Sequence, residues 1–237
     1  MRPWIIAAIL LRIAVLGCFL SLATATAALD KGSIRVVVID ESGNPVHLAQ
    51  VMARDVEPTP PGVIVVDIGA VPWYETDSAG QVVLKGLVVG HRYKMYAKNE
   101  EEGYADPTIP TYNPTDEGVV VVASDAPRSS PDVRIQLGPK AVVVEYELKD
   151  AVTGKAIKDY TLTVTRMDAD YTFGGANADN RVLVPADTDM MIEFEVKGYQ
   201  PWYYPGQTTK DTAKPLHGAA GQLTHLVVLL QPTSVQP

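Results

Sequence analysis

Six aromatic residues in three short stretches are the side chains of this sequence best suited to recognising another molecule: Trp202-Tyr203-Tyr204, Trp73-Tyr74 and Tyr112. A sugar presents apolar C–H faces that stack on aromatic rings, while its hydroxyls need polar partners, and Gln200, Gln207 and Asp211 lie close to the first stretch. These six are the candidate ligand-binding residues. Tyr and Trp in the loops of β-proteins also fold back over an open end of the core, so a packing role is the alternative. Whether the rings of 202–204 are exposed and coplanar, or tucked under their own loop, separates the two.

The sequence has no recognisable pattern for other chemistry. The histidines are His47, His91, His217 and His225, and none stands in an H-x-x-E or H-E-x-x-H arrangement, so no metal site is expected. A G-x-S-x-G elbow, a P-loop and a dinucleotide fingerprint are all missing, and neither catalytic residues nor a cofactor are assigned. The chain is therefore not expected to be an enzyme. Asp40-Glu41-Ser42-Gly43-Asn44 has closely spaced oxygen ligands but lacks the later bidentate Glu of a calcium loop, and Asp and Asn favour turns without any ion. The acidic run Glu100-Glu101-Glu102 reads as a solvated loop tip.

The elements that must position these residues follow a leader. Of the 237 residues, the first 27 carry Arg2 and Arg12, an uncharged run from Ile13 to Ala23, and the small residues Ala25-Thr26-Ala27. That order is expected of a signal peptide cleaved after Ala27. An uncleaved anchor is disfavoured because Arg12 leaves the run too short to span, and a lipoprotein signal at Cys18 because the apolar run continues past it. Removing Arg2 and Arg12 takes the formal charge from −8 to −10, and the only cysteine, Cys18, leaves with them. Domains of roughly a hundred residues can be held by their cores without disulfides. So negative a chain is expected to bind neither nucleic acid nor, once the leader is gone, a membrane surface.

From Asp30 onward short β-branched runs are broken every eight to twelve residues by turn chemistry such as Ser42-Gly43-Asn44-Pro45, Pro60-Pro61-Gly62, Asp77-Ser78-Ala79-Gly80 and Asp125-Ala126-Pro127. This is the spacing of an antiparallel sandwich. Expected strands are Ile34 to Ile39, Val51 to Arg54, Val63 to Ile68, Gln81 to Leu84, Tyr93 to Lys98, Val119 to Ala123 and Val133 to Leu137. In the second half they are Val142 to Lys149, Thr161 to Arg166, Arg181 to Val184, Met191 to Lys197 and Leu226 to Leu230. In Tyr93 to Lys98, alternation assigns Tyr93, Met95 and Ala97 to a buried face and Lys94, Tyr96 and Lys98 to a wet one. The run ending at Asp150-Ala151-Val152-Thr153-Gly154 repeats the run ending at Asp40 to Gly43, which predicts two copies of one small β-domain. Residues 28–138 and 139–232 are the expected domains, with 233–237 a tail and Leu137-Gly138-Pro139-Lys140 a short linker that restricts their relative orientation. Two long aromatic loops, opened by Gly103-Tyr104 and Gly198-Tyr199, hold equivalent places in the repeat.

The run Thr76-Asp77-Ser78-Ala79-Gly80 through Leu84, Leu87, Gly90 and Tyr93 to Gly103-Tyr104, preceded by Asp40 through Pro45-Val46, resembles the carboxypeptidase regulatory-like domains. Val82 stands where that family usually has an aromatic residue and Val89 where it has Pro. The second half is similar through Asp150 to Ile157 and Gly198-Tyr199, without the Thr-Asp-x-x-Gly turn. The resemblance implies two tandem transthyretin-like or Ig-like sandwiches in a non-catalytic accessory module of secreted bacterial proteins, within a fold group that includes carbohydrate binders. The expected function is thus an exported binding module, periplasmic or extracellular, with polysaccharide as its ligand. The alternative is a spacer or protein-interaction module whose partner is an envelope protein.

Overall fold

Strict alternation of side chains is what builds each sheet here. In β8 (Val142–Asp150), Val142, Val144, Tyr146 and Leu148 are buried while Val143, Glu145, Glu147 and Lys149 face outward. The computed structural model describes residues 31–57, 72–124, 132–169, 171–176 and 180–233. The expected leader, the strand expected at 63–68, the turns at 60–62 and 125–127 and most of the tail lie outside them.

The strands of the first half are β1 (Lys31–Ile39), β2 (Gln50–Asp55), β3 (Tyr74–Glu75), β4 (Gln81–Val88), β5 (Arg92–Lys98), β6 (Val119–Val122) and β7 (Asp132–Gln136). Those of the second, after β8, are β9 (Thr161–Arg166), β10 (Tyr171–Ala176), β11 (Arg181–Val184), β12 (Met190–Glu195), β13 (Trp202–Tyr203) and β14 (Leu223–Leu230). One short 3-10 turn, Lys210–Thr212, interrupts them.

Strand order repeats between the halves: β4-β1-β7 and β3-β2-β5-β6 in the first, β11-β8-β14 and β10-β9-β12-β13 in the second. Adding seven to each number of the first half gives the second. Two sheets face each other over each core. Ile34, Val36, Val38 and Leu84 meet Val51, Met95 and Ala97 in the first, and Val142, Val144 and Val228 meet Leu162, Ile192 and Phe194 in the second. Each such Val, Leu, Ile, Met or Phe side chain, fully buried, contributes about 1.5–3 kcal/mol. The chain is thus all-β, two sandwiches in tandem.

Most pairings are antiparallel, as expected, but β7 runs parallel to β1 and β14 parallel to β8. A second difference concerns β5. Tyr96, expected on the wet face, is buried, because the loop after β5 crosses that face.

The turn chemistry repeats as well. The Asp40 carboxylate accepts from the Ser42 and Asn44 N–H groups at 2.8 Å, and Asp150 accepts from Val152 and Thr153 at 2.9 and 2.7 Å. A tyrosine then closes each turn from across the sandwich: Tyr104 donates to Glu41 at 2.9 Å and Tyr199 to Asp150 at 2.8 Å. Thr76, at the head of the Thr-Asp turn, is buried with its hydroxyl satisfied: it donates to the Val46 carbonyl at 2.7 Å and accepts from the Ala49 N–H at 3.0 Å.

Candidate functional site

Residues 105–118, between β5 and β6, form a loop with an internal frame of its own. The Asp106 carboxylate accepts from the N–H and hydroxyl of Thr108 at 2.9 and 2.6 Å, and Asn113 bonds both the N–H and the carbonyl of Glu117 at 3.0 and 2.8 Å. Side chains of the sheet beneath hold it down. Lys98 Nζ lies 3.1 Å from Asp106. Asp116 accepts from Tyr96 at 2.7 Å, Arg54 at 2.6 Å and Lys94 at 3.0 Å, while Arg54 also bonds the Tyr96 hydroxyl.

Hydrogen bonding from Tyr96, then from Lys94, holds the Asp116 carboxyl down to about 2. Because the folded value is depressed, the stabilisation is present above the unfolded value of about 3.9 and is lost as pH falls through the folded one. A carbon-detected titration should therefore find Asp116 half-protonated near pH 2; a midpoint of about 4 would show that the three donors do not converge on it.

The middle of this loop reaches the second sandwich. Tyr112 donates to the Leu183 carbonyl at 2.5 Å, and its ring packs on Phe173 with centroids 5.4 Å apart. Burial pushes its hydroxyl well above the ordinary tyrosine range. Arg166 is gripped by Asp168 at 2.6 and 2.9 Å and turns its remaining nitrogen to the Thr111 carbonyl at 2.9 Å. Arg181 donates to the Glu100 carbonyl at 3.0 Å. Along the linker, Leu137 is buried and its N–H bonds the Ile39 carbonyl, while the Ala141 N–H bonds that of Gly103, both at 2.8 Å. Lys140 sits with Nζ 5.0 Å over the Tyr104 ring. From the second sandwich the Gly221 N–H reaches the Ala141 carbonyl at 3.3 Å, so residues 137–141 are held from both sides.

A cleft of about 700 Å³ opens beside this junction, lined among others by Tyr96, Tyr112, Asn113, Arg166 and Pro185. Four of its polar side chains are engaged within the protein: Tyr96 with Asp116, Tyr112 with Leu183, Asn113 with Glu117, Arg166 with Asp168 and Thr111. A sugar would meet few polar groups whose hydrogen bonding is not already directed inward.

The other candidate aromatics lie apart from Tyr112. Trp202 is 7% exposed, in the core, edge-on to Phe194 at 5.7 Å and to Tyr204 at 6.5 Å, with the last two planes 69° apart. The three consecutive rings do not form a coplanar platform. Tyr203 is half-buried, and its bond to Glu193, then burial, pushes its hydroxyl up to about 12. Trp73 is half-buried under Lys98, whose Nζ lies 4.7 Å from its ring centre, and Tyr74 is 37% exposed on β3. Arg166, Arg181, Thr111 and Asp116 were not singled out from the sequence; Arg166-x-Asp168, a self-paired arginine, was the only local hint. Among the described residues no group of three or more His, Cys, Asp or Glu could hold a metal ion. No helix among them is long and apolar enough to cross a membrane.

No family model matches the chain, and no curated protein matches it. Among solved structures, it is similar to the Bacillus anthracis TIE protein at 10% identity and a TM-score of 0.32, over 86% of this chain and 34% of that one. It is also similar to the shaft pilin SpaA of Lactobacillus rhamnosus GG, at 11% identity and a TM-score of 0.33, over 87% of this chain and 100% of that one. A streptococcal ancillary pilin matches at 15% identity and a TM-score of 0.33, over 88% and 64% of the two chains. The chain thus spans about a third of the first of these proteins. Identities and scores this low bring none of those proteins' roles to this chain.

Proposed function

We propose that this chain is an exported, non-catalytic interaction module of the carboxypeptidase regulatory-like type. Its two domains, 28–138 and 139–232, act as one stiff unit that fixes the spacing and orientation of an envelope protein partner. The observation that carries this reading is the docking of the 105–118 loop on the second sandwich through Tyr112, with its 2.5 Å bond to Leu183 and its contact with Phe173. A side chain spent on that junction supports a spacer better than it supports a ligand platform, and Trp202, built into a core, does the same.

Tyr112→Ala tests it. The hydrogen bond contributes about 1 kcal/mol and the ring pair about 0.5–1.5 kcal/mol more, so the docked population should fall severalfold or further. Small-angle scattering should then report a broader distribution of interatomic distances, while the melting of each sandwich changes little. An unchanged scattering profile and unchanged residual dipolar couplings would overturn the reading. Glycan binding has the volume of the cleft in its favour as a second reading; retardation of the protein by a polysaccharide in affinity electrophoresis, lost in Arg166→Ala, would establish it instead.

A further inference from the structure

The last strand, β14, reads Leu-Thr-His-Leu-Val-Val-Leu-Leu, with no Lys, Arg, Asp, Glu or Pro. It stands at the edge of the order β11-β8-β14. Edge strands are ordinarily protected by charge, proline or shortness; here β4 carries Lys85, β11 carries Arg181 and β3 has two residues, while β6 and β10 are uncharged but shorter than the eight residues of β14. Here the outward side chains Leu223, Val227 and Leu229 are 51%, 56% and 52% exposed.

The backbone of this edge is equally open. The Val143 N–H bonds the Gln222 carbonyl and the Ala151 N–H bonds that of Leu230, so in the parallel ladder the even-numbered residues of β14 turn their polar groups to β8. Those of Leu223, His225, Val227 and Leu229 point the other way and meet no main-chain partner among the described residues. The open stretch has defined ends. Gly221, at a φ of +73°, turns the chain before it, and beyond it the Gln231 carbonyl is taken by the Gln200 N–H at 2.8 Å.

We propose that this edge pairs with the same edge of a second copy of the chain, antiparallel, about a two-fold axis through Leu226. This rests on the reading of the chain as an interaction module and names its partner. The axis places Leu223 opposite Leu229 of the other copy and His225 opposite Val227, so all four open residues of each strand meet open residues, giving about eight N–H···O bonds. The two three-stranded sheets become one of six. β14 has no Lys, Arg, Asp or Glu to oppose the approach, and beside it Glu147 is paired with Lys149 at 2.7 Å, while Glu145 lies 3.1 Å from His225, an ion pair when that imidazole is protonated. A groove of about 310 Å³ walled by Pro201, Trp202 and Pro205 adjoins the edge at Val227 and Leu229, on the side to which the second copy's Thr224, opposite the inward-facing Val228, would turn. One strand edge buries less than the roughly 1,200 Å² of a standard interface, so the dimer should be weak and form only at high protein concentration.

Register makes the test specific. In a chain carrying Cys18→Ser, a Leu226→Cys thiol would face its own copy at a Cα separation of about 4.5 Å, within disulfide range. A Thr224→Cys thiol would face Val228. Under oxidised glutathione at high protein concentration, Leu226→Cys should give a covalent dimer at least tenfold faster than Thr224→Cys. Sedimentation of the cysteine-free chain should show a monomer–dimer equilibrium that Val227→Lys abolishes without lowering the melting temperature. Equal rates for the two cysteine variants, or dimerisation that survives Val227→Lys, would overturn this pairing. Either result would leave the scattering test of the stiff junction untouched, so the two failures are distinguishable.

Discussion

Replacing Trp202 by alanine is expected to destabilise the second sandwich by roughly 3–5 kcal/mol, the cost of removing a large aromatic side chain from a core. The ring is 7% exposed, and β13 pairs Trp202 directly with Phe194 of β12, so truncation leaves a cavity against the largest fully buried side chain of that core. Tyr204 loses its edge contact as well. Urea unfolding should show a lower midpoint, and Trp202→Phe should recover most of the loss. Trp73→Ala is the contrast: that ring is half-buried and its notable partner is Lys98, so about 1 kcal/mol is at stake. Similar small effects from both tryptophans would show that Trp202 is not a core residue.

Gly80→Ala should be nearly as costly for the first sandwich. Gly80 adopts a φ of +69°, and a Cβ there would lie 2.5 Å from the Val38 carbonyl oxygen and 3.1 Å from the Val46 nitrogen. The backbone cannot retreat, since Val38 N–H bonds the Gly80 carbonyl at 2.8 Å. Left-handed backbone costs an L-residue about 1–2 kcal/mol and the overlap about 1–3 more, so roughly 2–5 kcal/mol is expected. Gly43, at +84° with nothing within 4 Å of such a Cβ, isolates the conformational part. Gly43→Ala should therefore cost about 1–2 kcal/mol. Equal urea midpoints for the two variants would show that the clash is relieved elsewhere.

The long strands were legible because alternation is a local property: β8 and β5 declare their buried faces within nine and seven residues. The two-residue strands β3 and β13 are too short to have a period, and β10 contains Gly174-Gly175, which reads as a break. Parallel pairing of first and last strands leaves no local mark at all, since each strand looks the same whichever way its neighbour runs. The burial of Tyr96 was hidden for a related reason. Alternation assigns a side chain to a face but cannot foresee that a loop held by Asp116 will cover that face. For the site, the aromatic content of the two loops drew notice to Tyr112 and Trp202, but whether a ring meets solvent, core or another sandwich depends on partners such as Leu183 and Phe194 far along the chain.

The parallel ladders also set an order of events during synthesis. Val143 pairs with Leu223, 80 positions later, and Val36 with Val133, 97 positions later. Neither sandwich can complete its sheet until its final strand is made, and contacts so distant in sequence make folding slow. A nascent chain halted before β14 would hold the apolar row of β8 without its parallel neighbour, and only Leu223–Leu230 can close it.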